Sequence, residues 1–178
     1  MIGTRASRTS TLAAGVALLL VVGGCTQGSS EHPQISVSPL RANLDVPLKI
    51  TLGGLSAHQR VTVRARTSDA QGYVWTSTAT LDADASGKVD LGNAAPISGS
   101  YHGADAMGLF RSMAPTSGGS LGIFHPVKDG ERVALTVELD GKVVSSEAVE
   151  RLWVDPHVVT RTEELSDQGF LGVYQGPR

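Results

Sequence analysis

The chain has 178 residues, a formal charge of −2, 4% aromatic residues and a single cysteine. That charge, with no Lys/Arg-rich stripe, argues against a nucleic-acid partner, and the low aromatic content argues against a sugar-stacking platform. One cysteine leaves no internal disulfide, so packing must hold the fold.

Residues 1–24 open with Arg5 and Arg8, continue through the apolar run Leu12 to Val22, and end in Gly23 and Gly24 before Cys25. A cationic start, a short apolar stretch and small residues before a cleavage point have the form of a secretory signal, too short for a membrane span. The small-small-Cys ending resembles a bacterial lipobox, in which the thiol of Cys25 is lipidated and the residue becomes the new N-terminus. That resemblance implies a chain in the cell envelope, anchored to the outer face of the bacterial cytoplasmic membrane. Several acyl chains, each burying methylenes at about 0.8 kcal/mol apiece, make such an anchor stable. The alternative is an ordinary signal peptide and a secreted product. Losing Arg5 and Arg8 with the signal takes the formal charge from −2 to −4. Residues 25–34, TQGSSEHPQ after the cysteine, have the composition of a flexible tether.

A domain is predicted over residues 35–158, long enough for one core and too short for a second, catalytic domain. A proline-containing entry strand, Ile35 to Pro39, comes first. Hydrophobic residues then alternate in Val46-Pro-Leu48-Lys-Ile50-Thr-Leu52, in Val61-Thr-Val63-Arg-Ala65 and in Val133-Ala-Leu135-Thr-Val137-Glu-Leu139, the period of strands with one buried face. Turn chemistry separates them at Gly53-Gly54, Asp69 to Gly72, Asp82 to Gly87 and Asp140-Gly141. The last pair favours the positive φ angles of a tight hairpin. The pattern predicts an all-β, immunoglobulin-like sandwich of about seven antiparallel strands, with Trp75 and Trp153 in its core or at the core rim.

Gly92 to Ile123 has no period and reads as one long connection, of the kind that is usually functional. Within it, SGSYHGADAMGLFRSMAP spans Ser98 to Pro115. Gly99, Ser100, Tyr101, Gly103, Asp105, Met107, Gly108, Leu109, Ser112, Met113 and Pro115 resemble the signature of the N-terminal domain of acyl-CoA thioester hydrolases and bile acid-CoA:amino acid N-acyltransferases. Ala106 stands where that family usually has proline, which leaves the local turn less rigid. The resemblance covers roughly residues 35 to 175. It implies acyl-CoA thioester chemistry in a following α/β-hydrolase domain, and it makes residues 159–178, ending GFLGVYQGPR, the start of such a domain and a mobile tail without it. It also makes the signature loop a docking element. Met107, Leu109, Phe110 and Met113 are too apolar to be left together in solvent, and they divide between the sandwich edge and a partner surface.

Gly118-Gly119-Ser120-Leu121-Gly122 matches a nucleophile elbow literally, but Pro115 before it and Pro126 after it deny the strand and helix that an elbow needs. His32, His58, His102, His125 and His157 show no metal-ligand spacing, and Asp82-Ala-Asp84 looks like a turn lacking a calcium ligand set. The expectation is therefore no catalytic residue, no cofactor and no metal. Two functions stand against each other. One is a lipid-anchored, noncatalytic accessory domain that binds a hydrolase domain, a separate hydrolase or an acylated ligand. The other is an active thioesterase or acyltransferase using loop residues such as Ser120.

Overall fold

The computed structural model describes residues 32–116, 122–154, 158–165 and 170–177. Cys25 and Ser120 lie outside the described residues, as do the signal segment and most of the tether. In chain order the elements are β1 (Gln34–Ser38), β2 (Arg41–Asn43), β3 (Lys49–Gly53), β4 (Arg60–Ser68), β5 (Val74–Asp82), β6 (Val89–Asp90), β7 (Ser98–Gly99), α1 (Gly108–Arg111), β8 (Ala114–Pro115), β9 (Glu131–Leu139), β10 (Lys142–Leu152), β11 (Val158–Leu165) and β12 (Phe170–Pro177).

The alternating runs become strands whose inward residues meet across one core. Val61, Val63 and Ala65 of β4, Ala79 and Leu81 of β5, Val133, Leu135 and Val137 of β9, and Val149 of β10 form one buried cluster with Ile35, Ile50, Leu52 and Val89. The last four belong to a three-stranded sheet ordered β1-β3-β6, and the others to a sheet ordered β2-β10-β9-β4-β5-β7, with β8 also on β5. The expected all-β sandwich is therefore present. Asp140 (φ 48°) and Gly141 (φ 76°) make the tight β9–β10 turn that their pairing predicts. Strands β11 and β12 pair antiparallel with each other. Among the described residues no helix is long and apolar enough to cross a membrane.

Two details differ from the pattern expected. The chain leaves β1 for the other sheet, where β2 pairs parallel with β10 rather than antiparallel. The strand read from Val46 begins only at Lys49. Arg151 Nη2 donates to the carbonyls of Leu44 and Val46, Pro47 has no N–H to give a ladder, and the Leu48 N–H donates to the sulfur of Met107 at 3.4 Å.

Candidate functional site

The signature loop is built onto the free edge of β5. Ser98 and Gly99 pair with Thr80 and Ala79, Ala114 and Pro115 pair with Thr76 and Trp75, and Thr116 N–H reaches the Val74 carbonyl. Between them Ser100 binds Thr78 twice, its N–H donating to the carbonyl and its Oγ accepting the Thr78 N–H at 3.0 Å. An open sheet edge is a template for wrong pairing, and here the loop occupies it.

Between these two anchor points the loop rises over the core face of the sheet. Leu109 is 1% exposed within the core, and its carbonyl accepts from the buried Ser77 hydroxyl. Asp105 Oδ1 accepts the Met107 N–H at 2.8 Å, and the carboxylate also takes the Arg111 guanidinium. The Met107 N–H, followed by Arg111, holds the Asp105 carboxyl below its ordinary range. Met107, Phe110, Met113 and Tyr101 pack half-buried against the core. Gly103 is exposed, with φ +77°. The hydroxyls of Tyr101 and Ser112 are buried without a hydrogen-bond partner among the described residues, and burial raises the Tyr101 pKa.

Gly108 owes its identity to Tyr101, since a Cβ at Gly108 would lie 2.3 Å from the ring. Gly108→Ala is expected to destabilise the domain by about 1–3 kcal/mol. In a double-mutant cycle Tyr101→Leu should recover much of that loss; additive losses in urea denaturation would mean that the ring does not set the constraint.

Behind the loop lies a cavity of about 610 Å³. Asp105, Ala106, Met107, Phe110, Arg111 and Met113 form its loop wall, and Leu44, Asp45 and Pro47 another. Its floor comes from inward positions at one end of the larger sheet: Thr67 on β4, Trp75 on β5, Glu131 and Val133 on β9, and Arg151 on β10, with Phe124 and Trp153 beside them. Register brings these together, because Thr67 lies opposite Trp75 and Glu131 opposite Arg151. The Trp75 indole N–H donates to Asp69 at 3.2 Å, and the same carboxylate accepts the Gln71 and Tyr73 N–H groups across the turn. Trp75 stacks edge-on against Phe124 at 5.3 Å, and Phe124 lies 6.0 Å from Trp153.

Two charged side chains are buried in this floor, Glu131 at 5% and Arg151 at 1% exposure. Burial raises the Glu131 pKa despite the Val127 N–H and Thr67 hydroxyl that bond its carboxylate. Burial lowers that of Arg151, and the charge of Asp45 opposes the shift. Phe110 covers the guanidinium, with Cζ 5.6 Å from the ring centroid.

A raised carboxyl pKa means that the folded state binds the proton more tightly than the unfolded one. Below the unfolded value near 4.5 both states are protonated. As pH rises from there through the folded pKa, stability falls, because only the unfolded chain ionises freely. Glu131→Gln is expected to lose this downward slope, seen as a parent-minus-variant difference in unfolding free energy that grows between pH 4 and neutrality. A pH-independent difference would count against it.

Sequence reasoning found the loop and placed Trp75, which is 6% exposed, but Trp153, expected in the core or at its rim, is 37% exposed at the cavity, and Glu131, Arg151 and Phe124 were missed as cavity residues. The signal for the two charges was present: Glu131 is in phase with Val133, Leu135 and Val137, and Arg151 with Val149. A charge on the inward phase of a strand marks a core that is interrupted. His58 sits in a turn with φ 58°, and Asp84 caps the Ser86 and Lys88 N–H groups. Among the described residues no three His, Cys, Asp or Glu side chains come together to hold a metal.

The family model described as "Acyl-CoA thioester hydrolase/BAAT N-terminal region" matches residues 45–164. The chain belongs to this family. Rat "Acyl-coenzyme A thioesterase 2, mitochondrial" is 38% identical over 97 residues, 54% of this chain and 21% of that protein. The human protein of the same name is 31% identical over 123 residues, 64% of this chain and 25% of its own length. Human "Bile acid-CoA:amino acid N-acyltransferase" is 37% identical over 82 residues, 46% of this chain and 20% of that protein. The chain thus spans about a fifth to a quarter of the length of the relatives it matches. Across the family-matched region the signature loop is the element that joins sheet edge, core and cavity wall.

Proposed function

We propose that the chain is a noncatalytic accessory and binding domain of the acyl-CoA thioester hydrolase and N-acyltransferase family. On this reading it is anchored through a lipidated Cys25 to the outer face of a bacterial cytoplasmic membrane. It offers its loop-walled cavity to an acylated ligand, beside a hydrolase that performs the chemistry. The observation that carries the reading is the use to which the signature is put. The Ser100 hydroxyl is tied to the β5 backbone, the Asp105 carboxylate to Arg111 and the Met107 N–H, and the hydroxyls of Tyr101 and Ser112 are buried. Of these groups Asp105 lines the cavity and the others lie in the loop that walls it, and none is placed as a nucleophile beside a base. Compartment supports the same reading, because acyl-CoA is a cytosolic metabolite and an exported chain would meet a different acyl compound.

The test is thiol release from decanoyl-CoA and palmitoyl-CoA by the purified chain, beside Ser120→Ala. No release above buffer is expected. Turnover that disappears in Ser120→Ala would overturn the reading in favour of a minimal thioesterase. Anchoring is tested by growing a bacterial host with labelled palmitate, where the chain should take up label and Cys25→Ser should not; an unlabelled parent chain, or equal label in Cys25→Ser, would exclude a lipid anchor at Cys25.

A further inference from the structure

We propose that the cavity behind the signature loop is a binding site for a monocarboxylate with an apolar body, its headgroup held by the Arg151 guanidinium. The inference rests on the binding-domain reading above and names its ligand class.

Arg151 is 1% exposed. Its Nη2 donates to the Leu44 carbonyl at 2.7 Å and the Val46 carbonyl at 2.9 Å, while Nε and Nη1 have no partner among the described residues. The ion pairs among the described residues are Arg41 with Glu150, Arg60 with Asp82, Arg64 with Glu138 and Arg111 with Asp105. Arg151 is in none of them. Its register partner Glu131 turns instead to the Val127 N–H and the Thr67 hydroxyl. Buried cations are ordinarily paired and hydrogen-bonded. Here the remaining donors belong to a side chain that lines a cavity of about 610 Å³, within the range of about 300–1,000 Å³ typical of small-molecule sites.

The lining selects the ligand. Trp75, Phe110, Phe124, Met107 and Met113 give it apolar and polarisable walls suited to an aliphatic or aromatic body. Phe110 covers the guanidinium, which leaves the buried, unpartnered Nε and Nη1 as the donors offered to a headgroup. Asp45 also lines the cavity and its charge partly balances that of Arg151, which favours a ligand with one negative charge over one with two. A carboxylate brings a single charge and accepts charge-assisted hydrogen bonds from the guanidinium.

Trp75 and Trp153 both line the cavity and are the two tryptophans of the chain, so indole emission reports on its occupancy. The purified full-length chain is titrated with decanoate and 4-phenylbutyrate, and with their neutral counterparts decanol and 4-phenylbutanol. Both carboxylates are expected to shift the emission saturably and to bind about 10–100-fold more tightly than the alcohols, the worth of a hydrogen bond to a charged group. Arg151→Met is expected to erase that preference, bringing each acid and its alcohol to equal affinity. The acid-against-alcohol comparison uses the unaltered protein, so it decides the matter even if the variant does not fold. Equal binding of acid and alcohol, or no saturable shift with any of the four, overturns the site. Such a failure, with no thiol release from acyl-CoA, leaves the noncatalytic reading standing. Ser120-dependent thiol release overturns that reading separately.

Discussion

Gly99→Val is expected to cost the domain about 4 kcal/mol, the sum of a backbone penalty of about 1–3 kcal/mol and an overpacking penalty of about 1–3 kcal/mol. Gly99 has φ +138°, and a Cβ there would lie 2.3 Å from the Thr78 carbonyl oxygen and 2.9 Å from the Ala79 Cα. Those atoms belong to β5, which is held on its other side by the full β4 ladder, so they cannot withdraw. Pushing Gly99 away would break the β7 pairing and the Ser100 bonds to Thr78 together, and would reopen the edge of the sheet. Against a typical domain stability of about 5–15 kcal/mol this is a large fraction. The urea midpoint should fall steeply and the variant should aggregate on refolding. Gly103→Ala is the internal comparison. Gly103 also has positive φ, +77°, but nothing lies within 4 Å of its Cβ position, so only the left-handed backbone penalty of about 1–2 kcal/mol remains. Equal losses at the two positions would show that the close approach to β5 is not what demands glycine.

The contrast between these glycines marks where the fold could be read from the chain. Strands with period-two cores were legible because alternation is local, and so was the hairpin at Asp140-Gly141, because the φ preference sits in the two residues themselves. The beginning of β3 was not legible. Val46 is in phase with Ile50 and Leu52, yet its carbonyl is taken by Arg151, 105 positions away, and no local pattern carries that contact. Of the cavity, the two buried charges were half visible. Glu131 and Arg151 each break an inward apolar phase, but the register set by the Asp140-Gly141 turn is shifted by one residue between Val143 and Ser145 before it places them opposite each other, and alternation does not announce that bulge. The loop that roofs them has no period, and its packing depends on contacts with β5 that alternation cannot report. The resemblance identified the signature residues, whereas the structure assigns most of them to folding.

Leu109→Ala tests that assignment most directly. Leu109 is 1% exposed and belongs to the cluster shared by both sheets, although it comes from a helix of four residues, Gly108–Arg111. Such a helix has almost no stability of its own, so the side chain anchors the helix as much as the helix positions the side chain. Truncation removes buried methylenes and leaves a void, a loss of about 2–5 kcal/mol. The upper part of that range is expected only if the helix stays in place, because a loop that collapses inward fills part of the void. Collapse would instead shift Met107 and Phe110, which form part of the cavity wall, and with them the cover over Arg151. Thermal or urea unfolding measures the first effect, and the Trp75 and Trp153 emission of the folded variant reports the second. A loss below about 1 kcal/mol would place Leu109 outside the determinants of the fold and return the signature to a role in docking a partner. A large loss means that substitutions in this signature must be corrected for folding before any change in binding or turnover is assigned to chemistry.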